Sequence, residues 1–191
     1  MATRLPVDRR LEIAGQLVVR TRIFYDIWWL YEGADTRPKI IDTMNEYSEF
    51  FRFDPHAHFI SLIVHLAGLF ENRGDTVNLP RLIQELGYSC SVPVKTITEA
   101  EDFLSQVDPL LPKVAILRSN LFAHRSAFLS YADAFKKAAV SPNEIRDLIE
   151  TALRIANCLL IARGLNEQFF HPLPLRDAEA MLNALARLHA T

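Results

Sequence analysis

Apolar residues recur along most of this chain at three- and four-residue spacing, and no segment shows the strict alternation of a half-buried strand. The first such run is Leu11, Ala14, Leu17, Val18, Phe24, Ile27, Trp28 and Tyr31. It predicts a long helix over residues 8–31, with Asp8 as its cap and Arg9, Arg10, Arg20 and Arg22 on a solvated face. Gly33 and Pro38 mark a turn, and a second helix is expected over residues 39–53. Asp54-Pro55 supplies a cap and a first-turn proline for a third helix. That helix is apolar nearly all round, from Phe59 to Phe70, which places it in the middle of a bundle. A polar loop follows over 71–78, then a short helix over 79–86 that Gly87 closes in the left-handed region. Residues 88–96 read as extended or irregular.

Thr98 and Glu101 have the spacing of a capping box and predict a helix start, with the helix ending near Val107. Pro109 and Pro112 then reset the chain for a helix ending near Ser126. Residues 127–140 fit either a continued helix through Phe135 or a loop. Ser141-Pro142-Asn143-Glu144 combines a serine cap, a first-turn proline and a glutamate at the third position. The stripe from Ile145 to Leu160 continues that helix, Glu150 and Arg154 stand in the favourable order for an ion pair, and Gly164 ends it. A last amphipathic helix carries Leu175, Ala178, Met181, Leu182, Leu185 and Leu188. The expected class is all-α, an antiparallel helical bundle with additional short helices, formed as a single domain over residues 1–191.

Composition narrows the function classes. The formal net charge is −2, whereas a protein that coats nucleic acid nonspecifically is usually basic, so any RNA contact must be local. Cys90 and Cys158 form no CxxC pair, and a disulfide is not expected. With no signal-peptide core and no 18-residue apolar run, a soluble, cytoplasmic protein without a membrane partner is expected.

Residues 113–126, K-V-A-I-L-R-S-N-L-F-A-H-R-S, carry the candidate chemistry. From 109 to 132 there is no Asp or Glu, while Lys113, Arg118 and Arg125 are present. Such a local positive site suits phosphate and lacks the hard oxygen ligands of magnesium chemistry. On a regular α-helix Arg118 and His124 would lie about 9 Å apart along the axis and point about 120° apart. One reading makes His124 a core or interface histidine with a satisfied ring and Arg118 a surface or salt-bridged residue. The other is RNA cleavage by the 2′-hydroxyl, which needs a base, an acid and positive charge on the phosphorane. One imidazole cannot serve both ends of an in-line displacement, but a twofold dimer along this helix would supply two.

Other candidates weigh less. Arg52 and His58 repeat the arginine–histidine spacing, but across the Asp54-Pro55 helix boundary. His56, His58 and His65 read as helix histidines and not as a metal set. Trp28 and Trp29, with Phe24 and Tyr25, suit base stacking or, on so apolar a helix, the core or a dimer interface. No glycine-rich phosphate loop or zinc spacing is present, so neither metal nor cofactor is expected.

Arg118-Ser119-Asn120-Leu121-Phe122-Ala123-His124 resembles the signature of the HEPN superfamily, and R-S-N-L-F-A-H-R is most similar to its abortive-infection-like, Abi U type branch. The order of elements extends the resemblance over residues 8–165. The resemblance implies a dimeric helical bundle, often a metal-independent endoribonuclease of phage-defence or toxin–antitoxin systems that leaves 2′,3′-cyclic phosphate ends. Arg118 would then hold phosphate, His124 transfer protons, and Ser119 or Asn120, with Arg125, contact the RNA. Ser119 stands where asparagine is frequent, with the amide one place later. An antitoxin protein is an implied partner. Some members of the superfamily lack nuclease activity, so the alternative is a catalytically silent helical dimerisation module that binds a protein partner or a nucleotide.

Overall fold

A computed structural model describes residues 4–122 and 130–189, and every regular element among them is helical. Helix α1 spans Val7–Glu32, and after a 3₁₀ turn at Arg37–Lys39 come two short helices, α2 at Ile41–Glu46 and α3 at Ser48–Phe51. Helices α4 (Asp54–Phe70), α5 (Leu79–Tyr88) and α6 (Val94–Val107) follow. A 3₁₀ turn at Asp108–Leu110 leads into α7 (Leu111–Leu117), which continues as a π-helical turn, Arg118–Phe122. Helices α8 (Tyr131–Ala138), α9 (Pro142–Ala162) and α10 (Leu173–His189) complete the order.

The apolar stripes bury as the periodicity requires. Leu11, Ala14 and Val18 of α1, Leu62, Ile63 and Leu66 of α4, and Leu148, Ile155 and Leu159 of α9 are fully buried in one core. Ring contacts set the direction of α4 against α1: Phe24 meets His65, Trp28 meets Phe59, and Tyr31 meets His58. The pairing runs down α4 as it runs up α1, so the two helices are antiparallel. A second, smaller cluster joins Leu30 and Tyr31 of α1 to Met44, Phe51 and Leu182, which fixes α10 against the far end of α1.

Several local expectations change in the fold. Helix α1 begins at Val7 after Pro6, so Asp8 is not its cap; Asp8 instead accepts two hydrogen bonds from Arg163, at 2.8 and 3.0 Å. Arg10 is not on a solvated face. It is buried, donates to the Leu5 carbonyl, and makes a two-pronged pair with Glu85 of α5. Arg22 bridges Asp26 and Glu150 and lies over the Phe170 ring. Glu150 therefore faces Arg22, while Arg154 lies against Phe103. Residues 39–53 break into a 3₁₀ turn and two short helices, because Tyr47 leaves the helical region with φ −109 and ψ 41.

Gly87 stays within α5, and the left-handed residue is Cys90, with φ 48. Helix α6 starts at Val94, so Thr98 lies inside it and donates back to the Val94 carbonyl instead of forming a cap. The capping box of α9 is present in full: Ser141 accepts from the Glu144 backbone and Glu144 accepts from the Ser141 backbone. Gly164, with φ +69, ends that helix as expected. Of the ambiguous 127–140 stretch, the described part holds α8, capped by Ser130.

Candidate functional site

Pro112 opens α7, and Val114 and Leu117 bury its inner face. The chain then widens into the π turn at Arg118–Phe122, a departure from the regular helix that the sequence periodicity predicts. Single π turns within helices are rare and concentrate at functional sites. Side chains support the widening. In an α-helix the Ile116 carbonyl would accept from the Asn120 backbone; here the Asn120 carboxamide donates to that carbonyl at 2.8 Å. At the end of the turn the Phe122 ring packs edge-on against Phe59 of α4, at 5.7 Å, and against His56, at 6.1 Å.

Arg118 stands where α7 passes into the π turn and reaches the C-terminal end of α4. Its Nη1 donates to Glu71 Oε1 at 3.2 Å. Its Nε is buried and has no acceptor among the described residues. The guanidinium borders a cavity of ≈170 Å³ walled by Leu66, Phe70, Val114 and Leu148, with Glu71 and Ser119 at its polar side. A guanidinium offers five donors in a fixed fork, and this one leaves most of them for an oxyanion with two acceptor oxygens.

The carboxylate-free window from 109 to 132 is not an isolated positive site, because the fold brings carboxylates to it from a distance. Glu71 comes from the loop after α4, and Glu144 from the start of α9. Lys113 donates to Glu144 Oε1 at 2.6 Å and to the Ala139 carbonyl at 3.1 Å. The Lys113 hydrogen bond and the Ser141 backbone together hold the Glu144 carboxyl down at about 2. Lys113 is thus a strut between α7 and α9, and Arg118 is the cation in the described part of the stretch that faces a cavity.

The structure brings Arg118 and Ser119 to one cavity, while the Asn120 amide is engaged within its own helix. His124 and Arg125 lie outside the described residues. His58 and His65 bond back to the Asp54 and Ser61 carbonyls, as helix histidines do. Among the described residues no group of three His, Cys, Asp or Glu side chains gathers as a ligand set. Trp28 and Trp29 are half-buried against the core. No described helix is long and apolar enough to cross a membrane.

Glu71 was not legible as a site residue. It lies 47 positions from Arg118, in a loop whose sequence, E-N-R-G-D, signals only polarity. The one local cue is its place directly after the apolar face of α4, where a polar side chain can still reach back over the helix end.

No curated protein and no solved structure matches the chain. A family model described as AbiU2, HEPN_AbiU2, matches residues 6–164. That span runs from the start of α1 to the end of α9 and takes in Arg118, the π turn and both carboxylates that pair with its cations. Together with the all-helical bundle, a match over so much of the sequence assigns the chain to the HEPN superfamily, as a member of the abortive-infection-like AbiU2 family.

Proposed function

We propose that this protein is a metal-independent endoribonuclease or toxin of a phage-defence or toxin–antitoxin system, working in the cytoplasm as a homodimer. Residues 1–191 act as one HEPN-like domain, and α10, beyond the matched span, joins it through Leu182 in the smaller cluster. The observation that carries the reading is Arg118: a guanidinium with a buried, unbonded Nε at a cavity, on a π turn, in the stretch that resembles the family signature.

In this reading Arg118 holds the scissile phosphate and stabilises the charge of the phosphorane. His124 of one protomer takes the 2′-hydroxyl proton as the 2′-oxygen bonds to phosphorus. His124 of the other gives a proton to the 5′-oxygen as the P–O5′ bond breaks, leaving a 2′,3′-cyclic phosphate. Ser119, on the wall of the Arg118 cavity, and Arg125 contact the RNA. Asn120 contributes by holding the π turn open. An antitoxin protein would neutralise the activity.

The test is cleavage of a mixed RNA pool in excess chelator by wild type, Arg118→Ala and His124→Ala. The expected result is chelator-resistant cleavage to cyclic phosphate ends, lowered by roughly 10²-fold or more in each variant. Absence of cleavage by folded wild-type dimer would favour the catalytically silent dimerisation module that binds a partner protein or nucleotide.

A further inference from the structure

The other end of the motif's π turn leads to a second feature. A groove of ≈540 Å³ runs between the end of α1 and the start of α4, with Trp28, Trp29, Phe59 and Phe135 along its floor and Arg52 and His56 on its rim. The aromatic surface is continuous. Trp28 meets Phe59 at 4.9 Å, and Phe59 meets both Phe135, in a stacked arrangement, and Phe122, edge-on. Phe122 is the last residue of the π turn that begins at Arg118. Trp29 is fixed from below, because its carbonyl accepts from both the Gly33 backbone and the Thr36 hydroxyl at 2.7 Å. A side chain at Gly33 would sit 2.6 Å from that oxygen, so only glycine lets the turn close so tightly.

We propose that this groove binds an unpaired nucleobase of the RNA whose phosphate Arg118 holds, and so helps to select the substrate; the inference rests on the RNA reading given above. Three observations favour a base over other occupants. The floor offers half-buried indole surface, and stacking on aromatic side chains is the common way to hold a splayed-out base. The rim carries both a donor and an acceptor: the Arg52 guanidinium, which lies over the Phe53 ring, and the Glu32 carboxylate, itself bonded by Arg37 at 2.7 Å. Such a rim suits the donor and acceptor edge of a base. The groove also lies along α4, whose C-terminal end leads into Glu71, with Phe59 about 18 Å before that residue. A base held there belongs to a nucleotide near, and not at, the scissile phosphate.

The only two tryptophans in the chain, Trp28 and Trp29, both line this groove, so wild-type protein reports on its own occupancy. The experiment titrates full-length protein with hexameric oligo(A) and oligo(U) and reads tryptophan fluorescence. A parallel titration uses Arg52→Ala, whose exposed side chain leaves the core untouched. The expected result is saturable quenching that differs between the two oligonucleotides and whose Kd rises by about tenfold in Arg52→Ala.

Absence of saturable quenching in wild type, or quenching unchanged in Arg52→Ala, overturns the inference. So does a fluorescence shift that follows protein concentration alone, which would mean a second copy covers the groove. Cleavage without quenching removes the groove and leaves the ribonuclease; quenching without cleavage does the reverse.

Discussion

Arg118 and Glu71 meet through one hydrogen bond at 3.2 Å, with about a third or less of each side chain exposed. Pairs with this much solvent contact contribute about 0.2–1 kcal/mol. Glu71 can therefore give up the guanidinium to a phosphate at small cost. A neutral amide in its place would no longer compete with phosphate for Arg118. Glu71→Gln should tighten binding of a 2′-deoxy, uncleavable RNA analogue by about twofold to fivefold, and the gain should vanish when Arg118→Ala is added. A weaker or unchanged affinity in Glu71→Gln would mean that the carboxylate positions Arg118 and does not compete for it. The same kind of long-range pairing recurs at Arg10 and Glu85, where the arginine is buried and its guanidinium draws the Glu85 carboxyl below its usual range. No charge pattern within one helix marks Arg10 as different from Arg9, which stays exposed beside Glu12. Partner choice for these residues is decided by how helices pack, so the residue scale is where the sequence says least.

Elements are more legible, because their causes are local. The apolar stripes of α1 and α9 and the capping box at Ser141 depend on spacings of three and four, and all three appear in the fold. The failures have local competitors too: Pro93 starts α6 before Thr98 can cap it, and Asn120 donates to the Ile116 carbonyl and favours a π turn where periodicity predicts continuous α-helix. A test at this scale comes from Glu144, which caps α9 through one oxygen and ties it to α7 through the other. Its carboxyl is held at about 2 in the fold, against 4.5 when unperturbed. A depressed carboxyl contributes stability that is fully present above pH 4.5 and is lost as pH falls towards 2. Gln preserves the cap acceptor and removes the charge. Glu144→Gln should thus be less stable than wild type near neutral pH, and its urea midpoint should fall less steeply between pH 4.5 and pH 2. Parallel slopes for the two proteins would show that Lys113 does not stabilise the charge.

At the scale of the molecule, one bundle presents Arg118 at one end of the π turn and Phe122 at the other, with α4 lying beneath both. Each chain carries a single histidine in its signature stretch, His124, yet the cleavage proposed needs a base and an acid at opposite ends of the displacement. In the function proposed a second chain supplies the other imidazole, which makes the number of intact histidines per dimer the quantity to vary. Wild type and His124→Ala, unfolded together and refolded at mixed ratios with total protein constant, distribute at random among three dimers. If both imidazoles are needed, only the wild-type homodimer cleaves, and activity follows the square of the wild-type fraction. An equal mixture then keeps about a quarter of full activity. If each protomer worked alone, the same mixture would keep about half. A linear dependence on the wild-type fraction would therefore exclude the shared site while leaving the bundle, the family and Arg118 as they stand, and a quadratic one would require that the two motif stretches meet.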